Sequence, residues 1–226
     1  MKKLLEILLI VFIIFPAEAK SKGHAHEIIE QMNYIDEKSV LYGKNNTGSP
    51  DLNLQASITA YLNNIKTMVA NFIQISPDGS SSEGTFFLAR PGKLRWQYNP
   101  PVPILIIVNN NKLIYYDYEL NEVTYSNTDE VLGSFLTAEK INFKDQKVTI
   151  DKTLKADGII RMNVLHPEKK QKMTLLFTES PLQLKKIEFF DDTAQITSVS
   201  FHEAKYNVEL DRNLFILKNP RVFKTK

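Results

Sequence analysis

Apolar and polar residues alternate with a period of two from Gly84 to Tyr98, GTFFLARPGKLRWQY. One parity carries Phe86, Leu88, Arg90, Gly92, Leu94, Trp96 and Tyr98; the other carries Thr85, Phe87, Ala89, Pro91, Lys93, Arg95 and Gln97. Successive strand side chains point to opposite faces, so the stretch predicts a strand pair or one long bent strand, with Pro91-Gly92 as a kink or tight turn. The first face is apolar and aromatic apart from Arg90. A guanidinium keeps its proton in a protein, so Arg90 must reach water or donate to oxygens on whatever covers this face.

Around this stretch the pattern predicts two kinds of element. Leu54, Ile58, Leu62 and Ile65 recur at spacings of three and four, which predicts a helix over Asp51 to Asn64 with Asp51 or Ser57 as its cap. Thr67 to Ile75 alternates as a strand. After Tyr98, short strands are predicted over 104–108, 113–118, 122–126, 147–151, 158–165, 173–178, 184–190, 193–202 and 214–217, with turns such as Asn109-Asn110-Asn111 between them. The total is about eleven strands without a repeat, at a turn spacing that points to a mainly β sandwich or barrel. Asp129 to Ile141 breaks the rhythm. Val131, Leu132, Phe135 and Leu136 have helical spacing there, and Thr128 or Asp129 can cap a second amphipathic helix.

The ends of the chain add a domain plan. Residues 1–19 have a basic start at Lys2 and Lys3, an apolar run of nine residues from Ile7 to Phe15, Pro16, and the A-x-A pattern Ala17-Glu18-Ala19. This is the pattern of a cleaved secretory signal peptide, and the run falls short of the ~20 residues of a spanning helix. Residues 20–50 form a polar extension, read as flexible, and 51–226 the folded domain. No cysteine is present to form disulfides, thiolate metal sites or a lipid-bearing cysteine. A net charge of +2 gives no basis for binding nucleic acid.

Catalytic patterns are missing: no G-x-S-x-G, H-E-x-x-H, P-loop or dinucleotide fingerprint occurs. His24 and His26 form H-x-H without a supporting ligand cluster. His166 precedes a proline in a turn, His202 is read as an exposed strand end, and Glu188 with Asp191-Asp192 as belonging to a solvated turn. The expectation is a protein that is not an enzyme and holds neither metal nor cofactor.

What is left is an apolar sheet face, two helices to lie on it, and one arginine. In these features the chain resembles the outer-membrane lipoprotein carrier family (LolA). The resemblance rests on Ile58, Leu62 and Ile65 of the helix, Phe72 and Gln74 as F-x-Q, and G-x-F-x-L-x-R-P from Gly84 to Pro91. It continues through Trp96, the 104–108 strand, L-x-x-Y-D from Leu113 to Asp117, and the tail from Leu214 to Val222 with Asn219-Pro220. It implies an incomplete, half-open antiparallel β-barrel whose helices form a lid. It also implies a periplasmic, monomeric carrier that takes acylated lipoproteins from an inner-membrane ATP-driven release complex and passes them to an outer-membrane acceptor. Arg90 then matches the family's lid latch. The acyl-chain cavity is expected among Phe86, Leu88, Leu94, Trp96 and Tyr98, with Ile58, Leu62, Val131, Leu132 and Phe135 from the lid. Four other readings stay open on the residues alone: an ordinary closed core, a solvated Arg90, a lipid-sensing or envelope-stress domain of similar half-barrel fold, and an exported lipid-acting enzyme, which would need a nucleophile-base pair that the sequence does not show.

Overall fold

A computed structural model describes residues 51–128, 132–143, 148–166, 168 and 171–218. The signal-peptide and extension readings, His24 and His26, Val131 and the tail beyond Lys218 lie outside the described residues, as does the Leu132 side chain. One α-helix, α1 (Leu52–Asn64), opens this part of the chain. Asp51 caps it by accepting the Leu54 amide at 2.9 Å, which satisfies one of the free first-turn donors.

Eleven strands then form one antiparallel sheet. They are β1 (Thr67–Ile75), β2 (Ser81–Ala89), β3 (Lys93–Tyr98), β4 (Ile104–Asn109), β5 (Lys112–Asp117), β6 (Glu122–Asn127), β7 (Thr149–Ala156), β8 (Ile159–His166), β9 (Gln171–Glu179), β10 (Leu182–Phe190) and β11 (Ile196–Tyr206). Their order is β6-β5-β4-β3-β2-β1-β11-β10-β9-β8-β7. Two meanders are therefore joined through the β1–β11 pair, and among the described residues β6 and β7 are the two edges of the sheet. The sheet is a barrel left open on one side. The chain from β6 to β7 connects the two edges of that opening, which puts the connecting segment where a lid belongs.

Gly84 to Tyr98 resolves as a strand pair, with Phe86 opposite Trp96 and Leu88 opposite Leu94. Gly92 makes the turn at φ +72, which glycine adopts without steric cost. Asn110 turns the next hairpin at φ 56.

Three expectations need correction. The segment over 129–141 is not an α-helix of that length: its described part is a short 3-10 helix at Leu132–Thr137, followed by bends. Gly133, Ser134 and Thr137 are weak helix formers, and they interrupt the few apolar positions that would favour an α-helix here. The strand expected at 214–217 is also a 3-10 helix, Arg212–Phe215, capped by Asp211 on the Asn213 amide at 2.9 Å. Its apolar residues serve packing rather than pairing. Leu214 and Leu217 lie with Phe215 on Leu105, Ile107 and Tyr116 and cover the outer face of the β3–β5 region. His202 lies within β11, half-buried, rather than exposed at a strand end, and His166 ends β8 buried.

Candidate functional site

The inner face of the sheet carries the main core, and every described residue expected to line a cavity lies in it. Phe86, Leu88, Leu94, Trp96 and Tyr98 come from β2 and β3, Ile58 and Leu62 from α1, and Phe135 from the connecting segment. Ile58 and Leu62 are 0% and 1% exposed, so α1 fills the concavity with its apolar stripe. Burying each is worth roughly 1.5–3 kcal/mol. Phe72 is the centre of an aromatic group, with ring centroids 5.3 Å from Trp96 and 5.2 Å from Tyr98, both edge-on. The Tyr98 hydroxyl donates to Oε1 of buried Gln74 at 2.6 Å. F-x-Q on β1 and W-x-Y on β3 thus meet as one unit. Burial pushes the Tyr98 phenol well above its ordinary range and keeps it the neutral donor that this bond requires.

Arg90, at the end of β2, ties both lid pieces to the sheet. Its Nε donates to the Leu136 carbonyl at 2.6 Å, and its Nη1 donates to the Leu62 carbonyl. Leu62 lies in the last turn of α1, where carbonyls lack helical partners and the helix dipole favours a cation. The Leu136 carbonyl belongs to the 3-10 segment, whose irregular backbone also needs outside donors. The main chain around Arg90 repeats the pattern: its amide donates to the Lys66 carbonyl at 2.8 Å, and the Gly92 amide to the Thr137 carbonyl at 2.7 Å. Burial lowers the guanidinium pKa to about 10, which leaves it charged throughout the neutral range. This answers the question raised by one arginine on an apolar face: two carbonyls, one on each lid piece, accept from it.

Sequence reasoning missed a second tie. Asn63 donates its Nδ2 to the Ile141 carbonyl at 3.0 Å and accepts the Ile141 amide on Oδ1 at 2.7 Å. The side-chain amide thereby acts as a strand neighbour for Ile141 and joins α1 directly to the connecting segment. The only available signal was an asparagine at a helix end, which is too common to single out. Replacing Asn63 with alanine is expected to raise the exchange rate of the Ile141 amide about tenfold, since one bond of this kind is worth ~1–1.5 kcal/mol. Hydrogen exchange read by NMR checks this. On the far side, the Tyr61 hydroxyl accepts the Leu184 amide at 3.0 Å, and Gln55 reaches Thr153 on β7 at 3.3 Å. Helix α1 therefore crosses the opening from the β7 edge to Arg90.

Glu188 is not part of a solvated turn: it is buried in β10 and accepts from Arg161 at 2.6 Å. That pairing gives it a structural partner.

An unclosed β-barrel with an apolar inner face, closed by a helix and a connecting segment held at one arginine, defines a class of lidded half-barrel. The model of the family described as outer membrane lipoprotein carrier protein LolA matches residues 63–218. An outer-membrane lipoprotein carrier protein of Legionella pneumophila (strain Corby) is 33% identical over 170 residues, covering 71% of this chain and 83% of that protein. An uncharacterized protein of Rickettsia prowazekii is 25% identical over 163 residues, covering 72% of this chain and 76% of its own length. The solved structure of a LolA superfamily protein from Nitrosomonas europaea superposes with a TM-score of 0.42 at 11% identity, covering 71% of this chain and 96% of that one. The chain belongs to the outer membrane lipoprotein carrier family.

Proposed function

We propose that this protein is a periplasmic carrier that shelters the acyl chains of lipoproteins against the inner face of its half-barrel. It receives them from an inner-membrane ATP-driven release complex and delivers them to an outer-membrane acceptor. The observation that carries the reading is the Arg90 latch, in which one side chain on the sheet holds both pieces that close the apolar face. The proposed lining is the set of Phe86, Leu88, Leu94, Trp96, Tyr98, Ile58, Leu62 and Phe135.

In the closed form this space is occupied by α1, so cargo must displace the helix. The energies allow it. An acyl chain that buries about a dozen methylenes gains roughly 10 kcal/mol at ~0.8 kcal/mol each. The lid is held by a few hydrogen bonds of about 1–3 kcal/mol each and by apolar contacts that acyl chains can replace. Cargo and lid then compete for one apolar surface on similar terms, which permits both loading and release. Family membership supports a carrier rather than an enzyme.

The reading is tested by incubating the purified protein with inner-membrane vesicles that bear lipoproteins and the release complex. Native mass spectrometry of the soluble fraction is expected to find a complex of one protein with one lipoprotein. A soluble fraction that stays free of acylated protein would remove the carrier reading.

A further inference from the structure

The inner face of β1–β6 changes character along the strands. Nearest Arg90, the row Met68, Leu88, Leu94, Val108 and Leu113 is apolar throughout. The next row, Ala70, Phe86, Trp96 and Ile106, runs into Tyr115 on β5. Beyond these rows lie Gln74, Tyr98 and Asp117, all buried. Gln74 is six residues past Met68 on β1, about 20 Å along the strand. Buried polar groups are retained where they have hydrogen-bond partners, so the question at this end of the face is what the partners are.

Asp117 and Tyr98 find theirs within the fold. Asp117 accepts the Glu119 and Leu120 amides at 2.8 and 2.9 Å and shapes the turn after β5. The Tyr98 hydroxyl donates to Oε1 of Gln74. Gln74 itself is satisfied on one side only: it is 3% exposed, and among the described residues nothing accepts from its Nε2. Its oxygen holds the amide in place while its donor is left open, so a buried hydrogen bond remains to be made. Tyr115, half-buried on the same face, has no hydrogen-bond partner for its hydroxyl among the described residues. Burial, and then the Asp117 carboxylate, push its phenol up to about 12, so it stays an O–H donor. Tyr115 also raises the Tyr98 phenol, which sets both hydroxyls at this end of the face.

We propose that Gln74 and Tyr115 donate hydrogen bonds to the ester carbonyl oxygens of a bound fatty-acyl glycerol group, whose chains run from there toward Arg90 over Phe86, Trp96, Leu88 and Leu94. This anchor rests on the carrier reading and gives the cargo a direction: its polar end leaves beside Gln74, away from the latch. The chemistry selects the ester. Two donors at the edge of an apolar wall call for an acceptor at the start of an apolar chain, and an acyl carbonyl is that group. A free carboxylate accepts hydrogen bonds too, but a buried anion needs a cation. Among the described residues of β1–β6, the cation on this face is Arg90, at the opposite end and engaged with the lid. The carboxylate of Asp117 lies at the Gln74 end instead and repels a second one. A neutral ester meets neither obstacle.

Trp96 is the one tryptophan of the chain and lies on this face, so its fluorescence reads binding. The probes are a dipalmitoylglyceryl-cysteine peptide and its diether counterpart, which lacks the carbonyl oxygens. The unsubstituted protein is expected to bind the diester about tenfold more tightly, the effect of one or two neutral hydrogen bonds. Gln74→Leu and Tyr115→Phe should each lower that preference about threefold or more and leave the affinity for the diether within about twofold, a pattern that lost packing does not produce. Gln74→Leu also strips the Tyr98 hydroxyl of its acceptor. The companion variant is therefore Gln74→Leu with Tyr98→Phe, in which both partners become apolar; it should regain the unfolding temperature and still lack the preference. Equal binding of diester and diether by the unsubstituted protein would overturn the assignment and leave the carrier reading standing, as would a preference that survives both in this double variant and in Tyr115→Phe. Binding of neither lipid would remove both. Dipalmitoylphosphatidylglycerol and its diether form a second pair: an ester preference there, with none for the peptide pair, would overturn the link to lipoprotein cargo and assign the donors to a membrane lipid.

Discussion

Replacing Arg90 with leucine is expected to leave the sheet folded, to increase the fraction of protein that holds cargo, and to slow delivery by about ten- to a hundredfold. The substitution removes the donors to Leu62 and Leu136. The two carbonyls then differ in what remains. Leu62 keeps the Ile65 amide at 3.3 Å, whereas Leu136 loses the Arg90 donor and must find water. Charge-assisted bonds of this kind are worth ~1.5–3 kcal/mol, part of which is offset because a partly buried cation no longer has to be desolvated. A net loss of about 1.5–3 kcal/mol shifts the balance between closed and open forms by one to two powers of ten. The closed, empty form bears the whole loss, because only there are both bonds made. Loading therefore becomes easier, and release, which ends in that form, becomes harder. The backbone ties from Lys66 to Arg90 and from Thr137 to Gly92 survive, so the lid is weakened rather than lost. Arg90→Lys should fall between the two, since an ammonium on a flexible stem lacks the fork that reaches two carbonyls at once. The measurement is a two-step assay of release from inner membranes followed by transfer to outer-membrane acceptors. Transfer by Arg90→Leu at the unsubstituted rate, with only a lower unfolding temperature, would reduce the latch to ordinary packing.

Much of this site is written in side chains, and that part was legible. Strict alternation put Phe86, Leu88, Leu94, Trp96 and Tyr98 on one face, and the same parity isolated Arg90 there. The stripe Ile58–Leu62–Ile65 gave α1, and Asp51 gave its cap. What Arg90 holds was not legible without the family resemblance, because its acceptors are main-chain carbonyls, which every residue possesses. Asn63 escaped notice for a related reason: its partner is the backbone of Ile141, 78 residues away. The connecting segment shows the limit of periodicity. Spacings of three and four fit an α-helix, but a short 3-10 turn satisfies the same few apolar positions, and Gly133 and Ser134 favour the shorter form. At the C-terminal end, Leu214 and Phe215 looked like strand residues because a short apolar run carries no period of its own. The outer face of β9 to β11 posed a third difficulty. A run such as Met173 to Phe177 says that both faces are buried, but not what buries the second one.

Gly84→Ala is expected to destabilise the fold by about 3 kcal/mol, although it adds only one methyl group. A Cβ at this position would run into the Gln97 carbonyl oxygen of β3 and lie 2.6 Å from Cζ and 2.7 Å from Cε1 of Phe72. Gly84 faces Tyr98 across the β2–β3 pair and Phe72 across the β1–β2 pair, so it sits where three strands and the aromatic group converge. The ring of Phe72 lies over the strand because no side chain occupies that space. Alanine requires the ring to move, and Phe72 is 0% exposed and flanked by Trp96 and Tyr98. A close-packed interior accommodates such a shift only by moving further residues, and overpacking of this kind costs typically 1–3 kcal/mol. The contact with a backbone oxygen adds to it, since the strand cannot rotate away as a side chain can. The two contributions can be separated. In Gly84→Ala combined with Phe72→Leu the ring clash is relieved and the carbonyl clash remains, so the double variant should be less destabilised than the sum of the single changes but still less stable than Phe72→Leu alone. Urea unfolding of the four proteins gives the coupling energy directly. Strict additivity would mean that the ring is not what Gly84 makes room for. It would also weaken the case that F-x-Q, the Gly84 position and W-x-Y form one packed unit beneath α1, the unit against which any acyl chain entering this half-barrel would have to settle.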